Sequence, residues 1–116
     1  MVAMARGGYL KTVNRSVHVD QPTLWRVDVV LAGEIDHAAV GDLNHALHQV
    51  ARAAPREIHL DLAGVSFFSS AGITFLRQLA AVAEAHRAQL VGGEAPRCVA
   101  HPLALIDHQH LLARTA

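Results

Sequence analysis

The side chains of this chain that could do chemistry are hydroxyls and carboxylates at the edges of patterned segments, together with scattered histidines. Ser66, Ser69 and Ser70 flank an aromatic pair, Phe67-Phe68, just before a periodic apolar stretch opening at Gly72-Ile73. Serine at such a boundary is a preferred N-cap, because its oxygen accepts from the orphan N–H groups of a first helical turn. One cap does not consume two adjacent hydroxyls, and Gly72 gives close backbone access beside them. Asp36 stands at the start of an earlier helical pattern and is also of N-cap type.

Other chemistries find less support. The chain has nine histidines. His45 and His48 are spaced to share a helical face, and His108 and His110 lie close together near the end of the chain. Neither pair has a cysteine or third acidic ligand at a telling spacing, so a solvated role is expected and no metal. Ser70 sits in F-S-S-A-G, not on the G-x-S-x-G turn of a serine hydrolase. There is no G-x-x-x-x-G-K-S/T for nucleotide phosphates. These residues show no catalytic constellation, and neither an enzyme nor a bound cofactor is expected.

The chain's 116 residues make one domain of common size, and the 52% hydrophobic fraction fits a packed core. Formal charge is zero, so no global field favours nucleic acid or an anionic membrane. Cys98 is the single cysteine, which excludes an internal disulfide framework. The opening residues carry Arg6 and Lys11 but no apolar stretch of signal-peptide length, and no apolar run reaches the roughly 20 residues that span a bilayer. A cytoplasmic location is expected, with no membrane insertion and no direct nucleic-acid contact.

The elements that must position these groups follow from periodicity. Residues 1–14, with Gly7-Gly8, are expected to be a flexible tail, and residues 15–116 the folded domain. Ser16–Asp20 alternates as a strand and turns at Gln21-Pro22; Leu24–Leu31 is a second strand, stopped by Gly33. Asp36 caps a helix whose apolar stripe is Leu43, Leu47, Val50 and Ala54, with Gly41, His45, His48 and Arg52 opposite. Ile58, Leu60 and Leu62 alternate with His59 and Asp61 in the next strand. A second helix follows, with Ile73, Leu76, Leu79, Ala80 and Ala83 inside and Arg77, Gln78 and Glu84 outside. Gln89–Val91 is a short strand ended by Gly92-Gly93. Pro96 opens a third helix that Pro102 interrupts, and Leu105–Leu112 is ambiguous. This order predicts an α/β domain: a mixed sheet of four to five strands with helices packed on it.

Two segments resemble the STAS family, named for sulphate transporters and anti-sigma factor antagonists. Leu31-Ala32-Gly33-Glu34-Ile35-Asp36 is similar to that family's L-x-G-E-L/I-D. Leu60 through Ile73, with Phe67-Phe68-Ser69-Ser70-Ala71-Gly72, is similar to its central strand running into D-S-S/T-G. The spacing between the segments also matches, and the similarity extends over about Val17 to Leu112. The resemblance implies a STAS fold and an anti-sigma factor antagonist. Such a protein binds an anti-sigma factor that is also a serine kinase, which marks the first Ser or Thr of D-S-S/T-G; a protein phosphatase removes the mark. The matching acceptor is Ser70, with Ser69 as the adjacent alternative. Asp36, Ser69, Ser70, Gly72 and Phe75 are the implied partner contacts, and Glu34 a lesser one. The sequence departs from the family in Ser69, where Asp is usual, in Ala71, where a second Ser or Thr is usual, and in Pro102. These departures leave room for other STAS roles: a subunit of a lipid-transporting ABC system that is not phosphorylated, or a sensing or scaffold module.

A phosphate on Ser70 adds about −1.5 to −2 charges at a helix N-terminus, which the helix dipole favours. The fold is therefore expected to survive it, and the penalty to fall on a docked partner. About 3 kcal/mol there changes affinity about 150-fold.

Overall fold

The computed structural model describes residues 15–93 and 95–99. The expected N-terminal tail, Pro102, the Leu105–Leu112 segment, His108 and His110 lie outside the described residues.

Strands β1 (Arg15–Asp20) and β2 (Arg26–Ile35) form the expected antiparallel hairpin, with Val17 opposite Leu31 and Asp20 opposite Asp28. The turn is tied by the Arg26 N–H, which donates to Thr23 Oγ1 at 3.1 Å. Gly33 does not stop β2, as the sequence pattern led us to expect. It adopts φ 80, open to glycine at no steric cost, and the ladder to the next strand shifts register on either side of it. The glycine bends the strand and lets it run on to Ile35.

A 3-10 turn (His37–Ala39) leads into α1 (Val40–Ala53). Asp36 caps that turn and not the α-helix itself. Helix α1 buries Leu43, Ala46 and Val50, with Leu47 half-buried, and leaves Gly41, His45, His48 and Arg52 in solvent. Ala54 departs from the expected stripe. It is exposed and left-handed (φ 46), ending α1 as its C-cap with its N–H on the Ala51 carbonyl, just before Pro55.

Strand β3 (Glu57–Phe68) buries Ile58, Leu60 and Leu62 in alternation, then changes step to Val65 and Phe68 as it passes Gly64. Helix α2 (Ser70–Ala85) buries Ile73, Leu76, Leu79 and Ala83, and also Gly72 and Phe75; Ala80 is half-buried. Strand β4 (Gln89–Gly92) completes the sheet.

Sheet order is β1-β2-β3-β4, antiparallel at the first pair and parallel at the next two. Right-handed crossovers between successive parallel strands place both connecting helices on the same face, and α1 packs beside α2 there. The apolar sides of both helices close on Val27, Val29, Leu31, Ile58, Leu60 and Leu62, which form one core. A helical turn at 97–99, preceded by Pro96 as expected, adds buried Val99, and its Cys98 thiol lies 3.5 Å from the Val65 carbonyl.

Leu60 and Leu76 lie on opposite sides of this core. Leu60→Ala and Leu76→Ala should each lower stability by about 2–5 kcal/mol in urea unfolding. Unchanged midpoints in both would contradict this placement.

Candidate functional site

The C-terminal ends of β2 and β3 lie side by side, with Ile35 in register with Phe68. The chain leaves each end through a cap: Asp36 from β2 and Ser69 from β3. The two are joined across the strands by the Ser69 N–H, which donates to the Ile35 carbonyl at 2.9 Å. The site therefore sits beyond the carboxyl ends of parallel strands, where open α/β sheets place their binding crevices.

Ser69 is extended (φ −93, ψ −174), and its Oγ accepts from the Ala71 N–H at 3.2 Å. Its carbonyl accepts from the N–H groups of Gly72 and Ile73. Ser69 is thus the N-cap of α2. Asp36 does the same for its turn, accepting from the Ala38 N–H at 3.0 Å. A serine cap before α2 is thus found, at Ser69, whereas Asp36 caps the 3-10 turn and not α1 as expected.

Ser70 is the first helical residue and is exposed. Among the described residues its hydroxyl makes no hydrogen bond, because the cap has fallen to its neighbour. It borders an open cleft of about 370 Å3 between α1 and α2. Across the cleft stand His37, Val40 and Asn44; Thr74 and Gln78 continue the Ser70 side at successive turns. The sequence patterns did not single out these residues, since only packing of α1 against α2 brings them together. Thr74 and Gln78, at helical spacing from Ser70, were the available signal. Phe67, 51% exposed, and Val40, 42% exposed, add apolar surface at this end.

Two implied contacts need correction. Phe75 is 1% exposed and belongs to the core; it floors the cleft and offers little surface to a partner. Gly72 is buried under the Phe68 ring, where a Cβ would come within 2.5 Å of ring carbons. Its lack of a side chain serves internal packing, not access to the hydroxyls. Asp36 is half-buried and Glu34 exposed on the neighbouring strand end. Among the described residues lining the cleft, His37 is the one that can carry charge. No group of three or more His, Cys, Asp or Glu able to hold a metal occurs among the described residues. Nor is any helix among them long and apolar enough to cross a membrane.

A family model described as "Mlab, STAS domain" matches residues 18–113. The chain belongs to the STAS domain family. Solved structures share the fold of this STAS domain. The anti-sigma factor antagonist SpoIIAA in its unphosphorylated form is 17% identical, with TM-score 0.72 over 87% of this chain and 89% of that one. An anti-sigma factor antagonist from Mycobacterium paratuberculosis is 23% identical, with TM-score 0.67 over 87% and 85%. The Bacillus cell fate determinant SpoIIAA in its phosphorylated form is 18% identical, with TM-score 0.66 over 84% and 87%. No curated protein matches the chain in sequence.

The cap assignment separates the two serines by stability. Ser69→Ala should cost about 1 kcal/mol, and Ser69→Asp, which restores a capping oxygen, should cost almost nothing. Ser70→Ala should stay within about 0.5 kcal/mol. Gly72→Ala should cost about 1–3 kcal/mol by forcing the Phe68 ring aside. Thermal or urea unfolding of the four variants checks the set, and a reversed order for the two serines would reassign the cap.

Proposed function

We propose that this STAS domain is an anti-sigma factor antagonist. It binds an anti-sigma factor with serine kinase activity and is released when that kinase phosphorylates Ser70; a protein phosphatase restores the binding form. The observation that carries this reading is the division of labour between adjacent hydroxyls. Ser69 is bound up in capping, while Ser70 is exposed and uncommitted at the mouth of the α1–α2 cleft. The shared fold with antagonists known in unphosphorylated and phosphorylated forms supports it.

The physics agrees with a switch of affinity and not of fold. A phosphate on Ser70 lies at the positive end of α2, so the helix accepts it. Asp36 and Glu34 on the neighbouring strand end add negative charge to the same surface. A partner seated over Ser70, Phe67 and Val40 has to desolvate the phosphate or withdraw.

A second reading draws on Ser69 and Ala71. An uncharged cap followed by alanine lacks the acidic neighbour and second hydroxyl usual in the phosphorylated family. This favours a constitutively bound STAS subunit of a lipid-transporting ABC system.

Affinity purification from the native cell, then incubation of the captured complex with ATP and mass spectrometry of the segment from Glu57 to Arg77, separates the two. The switch predicts a co-purifying kinase and phosphate on Ser70, lost in Ser70→Ala and retained in Ser69→Ala. An ABC ATPase as partner, with neither serine modified, would establish the second reading instead.

A further inference from the structure

The two faces of the sheet are unequal. Both helices pack on the side of Val27, Val29 and Leu31. Alternation along the strands turns Val30 and Ala32 of β2, and His59 and Asp61 of β3, to the other side. There Val30 and Ala32 are half-buried and Ala63 is exposed, a strip of apolar surface crossing from β2 to β3. The register sets His18, Val30 and Asp61 in one row across it.

Charge on this face is balanced at one end and not at the other. Toward the hairpin tip Arg26 holds Asp28 at 2.7 Å, and Glu57 bonds His59 at 3.0 Å. Asp20 there shares a cleft with Arg52. Toward the Ser70 end stand Asp61 and Glu34, both exposed and, among the described residues, in no ion pair. One Asp61 oxygen accepts from the Ala63 N–H at 2.9 Å, and among the described residues the other has no partner. Arg15, at the start of β1, supplies nothing here, because it bonds Asp42 of α1 at 3.2 Å on the opposite face.

We propose that the segment preceding β1, residues 1–14, docks on this apolar strip with Lys11 on Asp61. The segment contains Arg6 and Lys11 and no acid, and Tyr9, Leu10 and Val13 surround the lysine. It therefore matches the strip in apolar character and the two unmatched acids in charge. It joins the sheet at Arg15, opposite Gly33. The four residues from Arg15 back to Lys11 span up to about 14 Å when extended. Asp61 lies three residues along the sheet and two strands across, also about 14 Å away. The tether holds the segment at an effective concentration on the order of millimolar, which a separate basic partner has to overcome. A second copy fits poorly, because two such faces set the same unmatched acids against each other.

Lys11 is the single lysine, so a carbodiimide, which joins an amine to a carboxylate without a spacer, reports its neighbour directly. The full chain is coupled at low concentration, digested and mapped by mass spectrometry. Asp42 is the internal control, since Arg15 brings the same tether to it on the helix side. Docking predicts a Lys11–Asp61 amide within one chain, at least about fivefold more abundant than Lys11–Asp42, and reduced severalfold in 0.5 M salt as ion pairs are screened. Asp61→Asn should abolish it, and the charge-swapped pair Lys11→Asp with Asp61→Lys should restore an amide between the same positions. Coupling spread evenly over Asp42 and Asp61, as a tether alone would give, would overturn the proposal, as would a lysine left uncoupled. A Lys11–Asp61 amide found only between two chains would also overturn it, assigning the face to self-association.

Discussion

The packing of the Phe68 ring against Gly72 fixes the geometry on which the site depends. The ring occupies the space that a Cβ at position 72 would need, so the end of β3 and the first turn of α2 are pressed together without slack. The Ser69 N–H ties the same point to Ile35 on β2. Held between these contacts, Ser69 is extended and turned inward as a cap, and Ser70 emerges on the outer side of the first turn. The exposure of one hydroxyl is thus a consequence of how its neighbours are packed.

The replacement of the family's usual Asp by Ser69 separates two properties that one residue normally combines. Aspartate and serine are comparable N-caps, so the local fold is kept. What is lost is a negative charge beside Ser70, and charge steers partners more than it sets their contact area. The surface around Ser70 is left with Asp36, Glu34 and His37 as its ionisable neighbours, set among exposed Phe67 and Val40. A newly added phosphate would then be the largest charge on that face, the condition under which one modification shifts affinity strongly.

Much of the architecture was legible because its signals were periodic. Ile58, Leu60 and Leu62 announced β3, and Ile73, Leu76 and Leu79 announced the buried side of α2. Reading failed where tertiary geometry overrode local pattern. Gly33 looked like a strand end, yet a bulge let β2 continue, and the three-residue steps from Leu62 to Val65 to Phe68 hid the continuation of β3. Phe75, an implied partner contact, fell into the core for a related reason, since only the seating of α1 over α2 decides whether a residue flanking the stripe is core or surface. The neighbourhood of Ser70 was legible as a motif, whereas the cleft residues His37, Asn44 and Thr74 come from separate elements with no shared pattern. The choice between Ser69 and Ser70 as cap needed the actual backbone angles.

The central claim is that Ser70 gates partner binding without supporting the fold. Its most direct test is the equilibrium affinity of the purified partner for wild type, Ser70→Ala and Ser70→Glu, measured by titration calorimetry on samples of equal melting temperature. A desolvated charge at the interface predicts near-equal affinity for wild type and Ser70→Ala, and for Ser70→Glu a loss on the order of 100-fold. Equal affinity for all three proteins would contradict the account.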